Sequence, residues 1–234
     1  MGELDVALVS SFEFLRNPIY WIADDVSISS DGLVYSVVVA HRGKISEIEE
    51  IELDPASETS TNLLRCLFPE LGLNPRLVQR RIGVSPAVAE PDASGRRAQL
   101  LIGDQAIRFR QEYANEFSFW DLGEEWMKLV GLPFVYALWL VRPEVVDPKG
   151  IANRLRALRD QNLTHLDDLV AEVVAGIGNT RHRGRLNREF LSRYYREHLR
   201  FSFGEQEKEG LRIFANLCIM HGLLPKRDLA FRIV

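Results

Sequence analysis

The fold of this chain is decided by the stretch from Asp121 to Arg142, which reads DLGEEWMKLVGLPFVYALWLVR. Asp121 is suited to cap a short helix with acidic residues in its first turn, and Gly131 is suited to end that helix. From Phe134 to Val141 nearly every residue is apolar. Such a run predicts a strand covered on both faces, as in a sheet that carries helices on either side. The same pattern fits a strand that bridges two lobes and the central strand of a single α/β domain.

Length and composition are those of an ordinary globular protein. The 234 residues are 46% hydrophobic and 26% charged, enough chain to bury roughly 70% of its unfolded surface. The net charge of −4 gives no general attraction to nucleic acid or to an anionic membrane. The N-terminus shows no secretory signal, which predicts a cytoplasmic protein, and no run is long enough to span a bilayer. Cys66 and Cys218 lie in stretches with helical spacing and are predicted to be buried thiols.

Serines recur near the ends of the first predicted strands, which is where open α/β sheets bind their ligands. A strand is predicted from Leu4 to Val9, and Ser10 follows it directly. Residues 29–32, of sequence SSDG, predict a turn. Ser36 is embedded in an apolar run from Val34 to Ala40 that predicts another strand. A lone serine there is either a satisfied core hydroxyl or a group that faces a cleft.

Two further strand ends carry polar groups. A brief strand at 51–53 and a helix predicted at 62–68 enclose a loop with hydroxyls at Ser57 and from Thr59 to Thr61. Backbone N–H groups and hydroxyls at the positive end of a helix suit a small anion, while simple capping by Ser57 or Thr59 is an equal alternative. The predicted strand at 99–102 ends in Gly103 and Asp104, a second position for a functional carboxylate.

After Arg142 the sequence predicts helices only. Apolar spacing, caps and stop residues place four of them at about 151–158, 166–177, 187–198 and 205–221. The basic run at 181–185, with Arg188, lacks aromatic residues in a net acidic chain. It is therefore predicted to be a solvated loop rather than a nucleic-acid site.

Several common chemistries have no motif in this sequence. The five histidines show no HExxH spacing, and no metal site is predicted. Neither a GxGxxG nor a GxxxxGK loop is present, and no GxSxG elbow is found, so nucleotide binding and serine hydrolysis lose their usual support. The remaining candidates are hydroxyl-bearing turns at strand ends. They suit a carboxylate ligand, because neutral donors and helix ends hold an anion without the cost of burying several arginines.

Six blocks of the sequence resemble, in the same order, the chorismate dehydratase family of the futalosine route to menaquinone. The blocks are GELDVALVSSFEFLRN at 2–17, SISSDGLVYS at 27–36, SETS at 57–60, LIGDQAIR at 101–108, DLGEEW with GLPFV at 121–135, and YYREHLRF with EGLRIF at 194–214. Together they extend from Met1 to about Gly222.

The resemblance implies an α/β, two-lobed periplasmic-binding-protein-like (type II) fold with a helical C-terminal part. Lobe 1 would comprise residues 1–42 and 136–234, lobe 2 residues 43–135, and the ligand would lie in the cleft between them. The family begins with a strand that carries an SYLN-like segment, whereas Met1 stands here at the GELD turn. The first strand and helices of lobe 1 are therefore expected to be missing, either through a start site placed too far downstream or because the chain is an incomplete relative.

The resemblance also implies a reaction and a site. A hydro-lyase would convert chorismate to 3-[(1-carboxyvinyl)oxy]benzoate and water, as a monomer or homodimer, without a cofactor and without nucleic-acid or membrane partners. Ser36 would be the catalytic residue that touches the reacting ring or its hydroxyl. The expected substrate-binding residues are Ser10, Ser30, Asp31, Ser57, Thr59, Ser60, Gly103 and Asp104. The alternatives are the naphthoate-forming sibling enzyme of the same pathway and a non-enzymatic binder of a small carboxylate.

Overall fold

The computed structural model describes residues 4–54, 57–79, 95–176, 187–228 and 230–234. The chain forms two compact units. The first unit comprises Met1–Asp31 and Leu132–Val234, and the second unit comprises Gly32–Gly131. These limits differ from the predicted lobe limits at 42–43 and 135–136, because residues 32–42 group with the second unit and residues 132–135 with the first. The lobes and the cleft between them stay predictions.

Eight strands and eight helices are described. The strands are β1 (Val6–Ser10), β2 (Trp21–Ser30), β3 (Val37–His41), β4 (Glu50–Leu53), β5 (Arg76–Gln79), β6 (Arg97–Ile102), β7 (Ser118–Asp121) and β8 (Phe134–Val141). The helices are α1 (Ser11–Arg16), α2 (Glu58–Glu70), α3 (Gly103–Glu112), α4 (Leu122–Val130), α5 (Pro148–Thr164), α6 (Leu166–Gly176), α7 (Arg188–Arg193) and α8 (Glu205–Met220). A 3-10 turn lies at Ile45–Glu47 and a π-helical turn at Tyr194–His198.

The stretch that decides the fold has the predicted form. The Asp121 side chain caps α4, accepting hydrogen bonds from the N–H groups of Gly123 and Glu124 at 3.1 and 3.2 Å. Gly131 ends α4 in the left-handed conformation, with φ of 73°, which glycine adopts without a steric penalty. β8 follows over the residues predicted for it, and most of its side chains are buried.

The first unit is built on a three-stranded sheet of order β1-β8-β2, in which β8 is antiparallel to both neighbours. Helices cover both faces of this sheet. Phe134 contacts Phe214 of α8, with ring centroids 5.0 Å apart, and Trp139 packs with Ala152 of α5. Since side chains alternate along a strand, Phe134 and Trp139 point to opposite faces. The prediction of a strand covered on both faces is confirmed.

The second unit is built on a five-stranded sheet of order β5-β4-β6-β3-β7. β4 is parallel to β5 and β6, whereas β3 runs antiparallel to β6 and β7. The registers pair Val37 with Ile102 and Val38 with Asp121. One edge of the sheet therefore holds the ends of β4, β6 and β7, the start of β3, and the starts of α2, α3 and α4. We refer to it as the helix-start edge.

Three local predictions are wrong. Ser29 and Ser30 are strand residues, because pairing with Val135 and Phe134 of β8 extends β2 through the expected turn. Ser36 precedes β3 instead of lying within it, since Tyr35 adopts a φ of +69°, which an extended strand does not allow. The loop expected at 58–61 is the first turn of α2, which begins at Glu58.

Other predictions are confirmed. The four C-terminal helices form, the third of them ending in the π-helical turn. Cys66 and Cys218 are buried thiols and form no disulfide. The basic run at 181–185 lies outside the described residues. Across the described helices, none is both long and apolar enough for a transmembrane span.

Candidate functional site

Ser36 lies at the helix-start edge, immediately before β3. Only 4% of its surface is exposed. Its carbonyl oxygen accepts a hydrogen bond from the Gly103 N–H at 2.7 Å. Gly103 is the first residue of α3 and has a φ of +57°. The structure thus brings together two residues predicted for the site, Ser36 and Gly103, across neighbouring strands.

Asp121 holds the two residues that lead to Ser36. Its carboxylate is buried and accepts hydrogen bonds from the N–H groups of Val34 at 3.0 Å and of Tyr35 at 2.8 Å. Nη1 of Arg110 lies 3.5 Å from Oδ2 of the same carboxylate and 3.4 Å from the Tyr35 carbonyl oxygen. Asp121 therefore joins α4, which it caps, to the approach to β3.

Burial raises the pKa of the Asp121 carboxyl above its ordinary value, while hydrogen bonds from Val34, Glu124 and Tyr35 and the charge of Arg110 oppose the shift. The ionised form is the one that fits the site, since a carboxylate only accepts hydrogen bonds and donors surround this one. Asp121 is engaged by these donors on both oxygens. The Asp121 carboxylate therefore acts as a structural support for the neighbouring backbone.

The start of α2 places a group of hydroxyls at the same edge. Ser57, Thr59, Ser60 and Thr61 are all buried. Ser57 occupies the N-cap position, but its side chain makes no capping hydrogen bond, and Thr59 lies inside the helix. The alternative of simple capping by these two side chains is therefore wrong. The first N–H groups of a helix find no acceptor within it, which is the property that anion sites at helix starts use. The anion site expected at this turn stays a prediction.

β6 separates β4 from β3 in the sheet. Because neighbouring strands lie about 4.8 Å apart, β4, the strand that precedes α2, lies about 10 Å from β3, the strand that follows Ser36.

Asp104 follows Gly103 at this edge but points to solvent. Its side chain is 88% exposed and lies 3.8 Å from Arg108, one turn further along α3. The role expected for Asp104 in orienting the ligand stays a prediction.

In the first unit, Ser10 ends β1 and pairs with Ala137 on one side of β8, whereas Ser30 ends β2 and pairs with Phe134 on the other side, with Asp31 following it in the chain. Oγ of Ser30 is 3.3 Å from the Tyr136 hydroxyl. The carboxylate of Asp31 forms an ion pair with Arg200. The roles expected for Ser10, Ser30 and Asp31 in binding the substrate stay predictions.

Several neighbours of the expected site were missed from the sequence. Arg110 and Tyr136 gave no signal, because one lies on an amphipathic helix and the other within an apolar strand. Arg200 falls in one of the six blocks, YYREHLRF, yet nothing in that block pairs it with Asp31. Asp121 was predicted only as a helix cap.

An apolar cavity of about 450 Å³ lies elsewhere in the first unit, between its sheet and helices α5 and α6. Leu8, Trp139, Leu158 and Val170 are among its lining residues, and the site residues predicted from the sequence are absent from that lining. Within the described ranges, no group of three His, Cys, Asp or Glu side chains could hold a metal ion.

Comparison with known proteins gives a family and a fold. A family described as menaquinone biosynthesis matches residues 1–219. The chorismate dehydratase of Thermus thermophilus is 31% identical, over 92% of this chain and 79% of that protein.

Solved structures of low sequence identity share the fold. A protein of Archaeoglobus fulgidus has 19% identity and a TM-score of 0.58, over 95% of this chain and 81% of the other. The alkanesulfonate-binding protein SsuA of Xanthomonas axonopodis pv. citri has 16% identity and a TM-score of 0.59, over 97% and 79%. The predicted periplasmic-binding-protein-like α/β fold is confirmed.

Proposed function

Because the chain belongs to the menaquinone biosynthesis family, we propose that it is a chorismate dehydratase. The observation that carries the proposal is 31% identity to the Thermus thermophilus chorismate dehydratase over 92% of the chain. The enzyme is then a hydro-lyase, which converts chorismate to 3-[(1-carboxyvinyl)oxy]benzoate and water. A cytoplasmic location and a monomeric or homodimeric state belong to the same proposal.

The reaction defines what the protein has to supply. A ring C–H bond and the ring C–OH bond break, a ring double bond forms, and the proton and hydroxide leave together as water. The gain of aromaticity drives the step, so no oxidant or reductant is needed. The protein has to hold a dianion, align the two breaking bonds and assist the departing hydroxide.

Ser36 is the residue we assign to the departing hydroxyl. It is buried at the helix-start edge, and its backbone is fixed by the hydrogen bond from Gly103. An Oγ–H donor held in place can stabilise negative charge as it develops on the leaving oxygen. The hydroxyls and N–H groups of Thr59 and Ser60, in the first turn of α2, would bind one substrate carboxylate.

The proton acceptor is assigned to a carboxylate of the substrate itself. Asp121 is engaged by donors on both oxygens, and His41 ends β3 at the opposite edge of the sheet, five residues from Ser36. On this assignment kcat shows no enzyme group titrating near neutral pH. A bell-shaped profile with a limb near the ordinary pKa of histidine would refute it.

Turnover of chorismate tests the function, and a pair of serine variants tests the site. Ser36→Ala is expected to lower kcat at least about tenfold, since the loss of one donor that stabilises a developing negative charge can cost about 100- to 1,000-fold. The matched control is Ser118→Ala, which removes an exposed hydroxyl at the opposite edge of the same sheet. Equal kinetics for the two variants would exclude Ser36 from the site. Tight binding of an aromatic carboxylate without turnover would favour a binding protein, and a naphthoate product would favour the sibling enzyme.

A further inference from the structure

We propose that Asp121, together with Arg110, is a positioning pair that sets the orientation of Ser36. The inference rests on the proposed function, in which Ser36 contacts the substrate. Asp121 accepts hydrogen bonds from Val34 and Tyr35, the two residues before Ser36, and Arg110 bridges Asp121 and Tyr35.

Tyr35 is the point where positioning is needed. Its φ of +69° lies in the left-handed region, which a bulky L residue adopts only when its surroundings impose it. Each polar group of the Tyr35 backbone has a partner from this pair. The N–H donates to Oδ2 of Asp121 at 2.8 Å, and the carbonyl oxygen lies 3.4 Å from Nη1 of Arg110.

The ring of Tyr35 is held as well. The guanidinium carbon of Arg110 lies 4.2 Å from the centroid of the Tyr35 ring, within the range of a cation–π contact. Arg110 thus contacts both the side chain and the backbone of Tyr35, and its own charge is balanced by Asp121. The pair fixes the conformation from two sides.

The sequence pattern indicates which backbone conformation Tyr35 would adopt without this pair. Residues 34–40 form an apolar run that predicts a continuous strand. In the structure the strand starts only at Val37. If Tyr35 relaxed to an extended conformation, β3 would lengthen toward Val34 and Ser36 would become a strand residue. The alternation of side chains along the strand would then determine which face of the sheet the Ser36 side chain points to. The pair therefore keeps Ser36 outside the strand and at the helix-start edge.

One substitution separates positioning from capping. In Asp121→Asn the remaining carbonyl oxygen can still accept from Val34, Gly123 and Glu124, as Oδ1 does, and asparagine is as good an N-cap as aspartate. The amide NH₂ then replaces Oδ2 and presents a donor to the Tyr35 N–H and to Arg110. The cap of α4 is preserved, while the contact that holds Tyr35 is lost.

The matched control is Asp147→Asn. Asp147 caps α5 in the first unit, accepting from the Gly150 N–H at 2.8 Å, and is exposed. The same chemical change is made there at a helix cap of the unit that does not include Ser36. A second test variant, Arg110→Gln, leaves Asp121 and the α4 cap intact but removes the guanidinium from Tyr35.

The experiment measures kcat and KM for chorismate in the wild type and the three variants, below their melting temperatures. Asp121→Asn is expected to lower kcat by ~10- to 100-fold with less than ~3-fold change in KM, since a reacting group misplaced by about 1 Å costs up to that much. Arg110→Gln is expected to lower kcat in the same way by ~3- to 10-fold. Asp147→Asn should match the wild type.

The outcomes are distinct. Full kcat in both Asp121→Asn and Arg110→Gln would overturn the proposal and leave Asp121 as a cap. If Asp121→Asn fails to fold, Arg110→Gln decides alone. A wild type without turnover would refute the proposed function instead, and backbone amide NMR would then test the positioning pair. The Tyr35 and Ser36 signals should move in Arg110→Gln and stay in place in Asp147→Asn, and unmoved signals in Arg110→Gln would contradict the inference.

Discussion

Gly210→Ala is expected to destabilise the protein although alanine is the better helix former. Gly210 lies within α8 where that helix crosses the start of β8. A Cβ built there would overlap the Pro133 carbonyl oxygen at a separation that real Cβ atoms do not show, and would lie 3.4 Å from its carbonyl carbon. The obstacle is backbone, so the helix itself has to move.

The magnitude follows from two opposing effects. Replacing glycine by alanine inside a helix gains about 1 kcal/mol. Forcing an extra carbon into a packed interface costs about 1–3 kcal/mol, and more where backbone has to shift. Because α8 has to move away from β8, and Leu211 and Phe214 beside Gly210 are buried, we expect a net loss of about 2 kcal/mol. For a chain of this size that lowers Tm by about 4–8 °C.

Thermal unfolding followed by circular dichroism measures the effect, with Gly176→Ala as the control. Gly176 is the last residue of α6, and a Cβ there would meet nothing within 4 Å. Gly176→Ala should leave Tm unchanged or raise it by up to about 4 °C, since it changes only helix propensity. A Gly210→Ala protein as stable as the wild type would refute the close packing of α8 on the start of β8.

Three further predictions concern single side chains. Asp121→Ala should lower the free energy of unfolding by about 3–5 kcal/mol in urea titrations, because four backbone N–H groups and Arg110 lose a buried acceptor. A loss no larger than about 1 kcal/mol, the usual cost of removing a helix N-cap, would contradict the account. Phe134→Ala should cost about 3–5 kcal/mol by removing a ring packed on Phe214, and a near-neutral result would contradict that packing. Burial lowers the pKa of His41, against the opposing hydrogen bond with the Gly43 backbone. The unfolded chain therefore binds the proton first, and the free energy of unfolding should fall as pH drops below about 6.5. His41→Gln should reduce that dependence, and an unchanged pH profile would exclude His41 as its source.

Local signals in the sequence were sufficient for the stretch that decides the fold. Asp121, Gly131 and the apolar run of β8 act through near neighbours, since a cap, a left-handed stop and a buried strand are each encoded within a few residues. Helix α8 was found for the same reason, from its apolar spacing and the glycine that follows it.

The surroundings of Ser36 depend on contacts that sequence patterns do not encode. Tyr35 leaves the strand conformation because of Asp121, 86 residues further along the chain, and Arg110, 75 residues further. Ser30 joins a strand because β8, more than a hundred residues away, offers it a partner. Tertiary contacts outweigh local propensity at these positions, and they lie at the ends of strands where the site is expected.

The most direct test of the account is the product formed when the purified protein is incubated with chorismate. The account predicts consumption of chorismate and a new aromatic compound lighter by one water, identified by absorbance and mass spectrometry as 3-[(1-carboxyvinyl)oxy]benzoate, with the rate strongly reduced in Ser36→Ala and unchanged in Ser118→Ala. Chorismate that stays intact with the wild-type protein, or is consumed equally fast by Ser36→Ala, would contradict it.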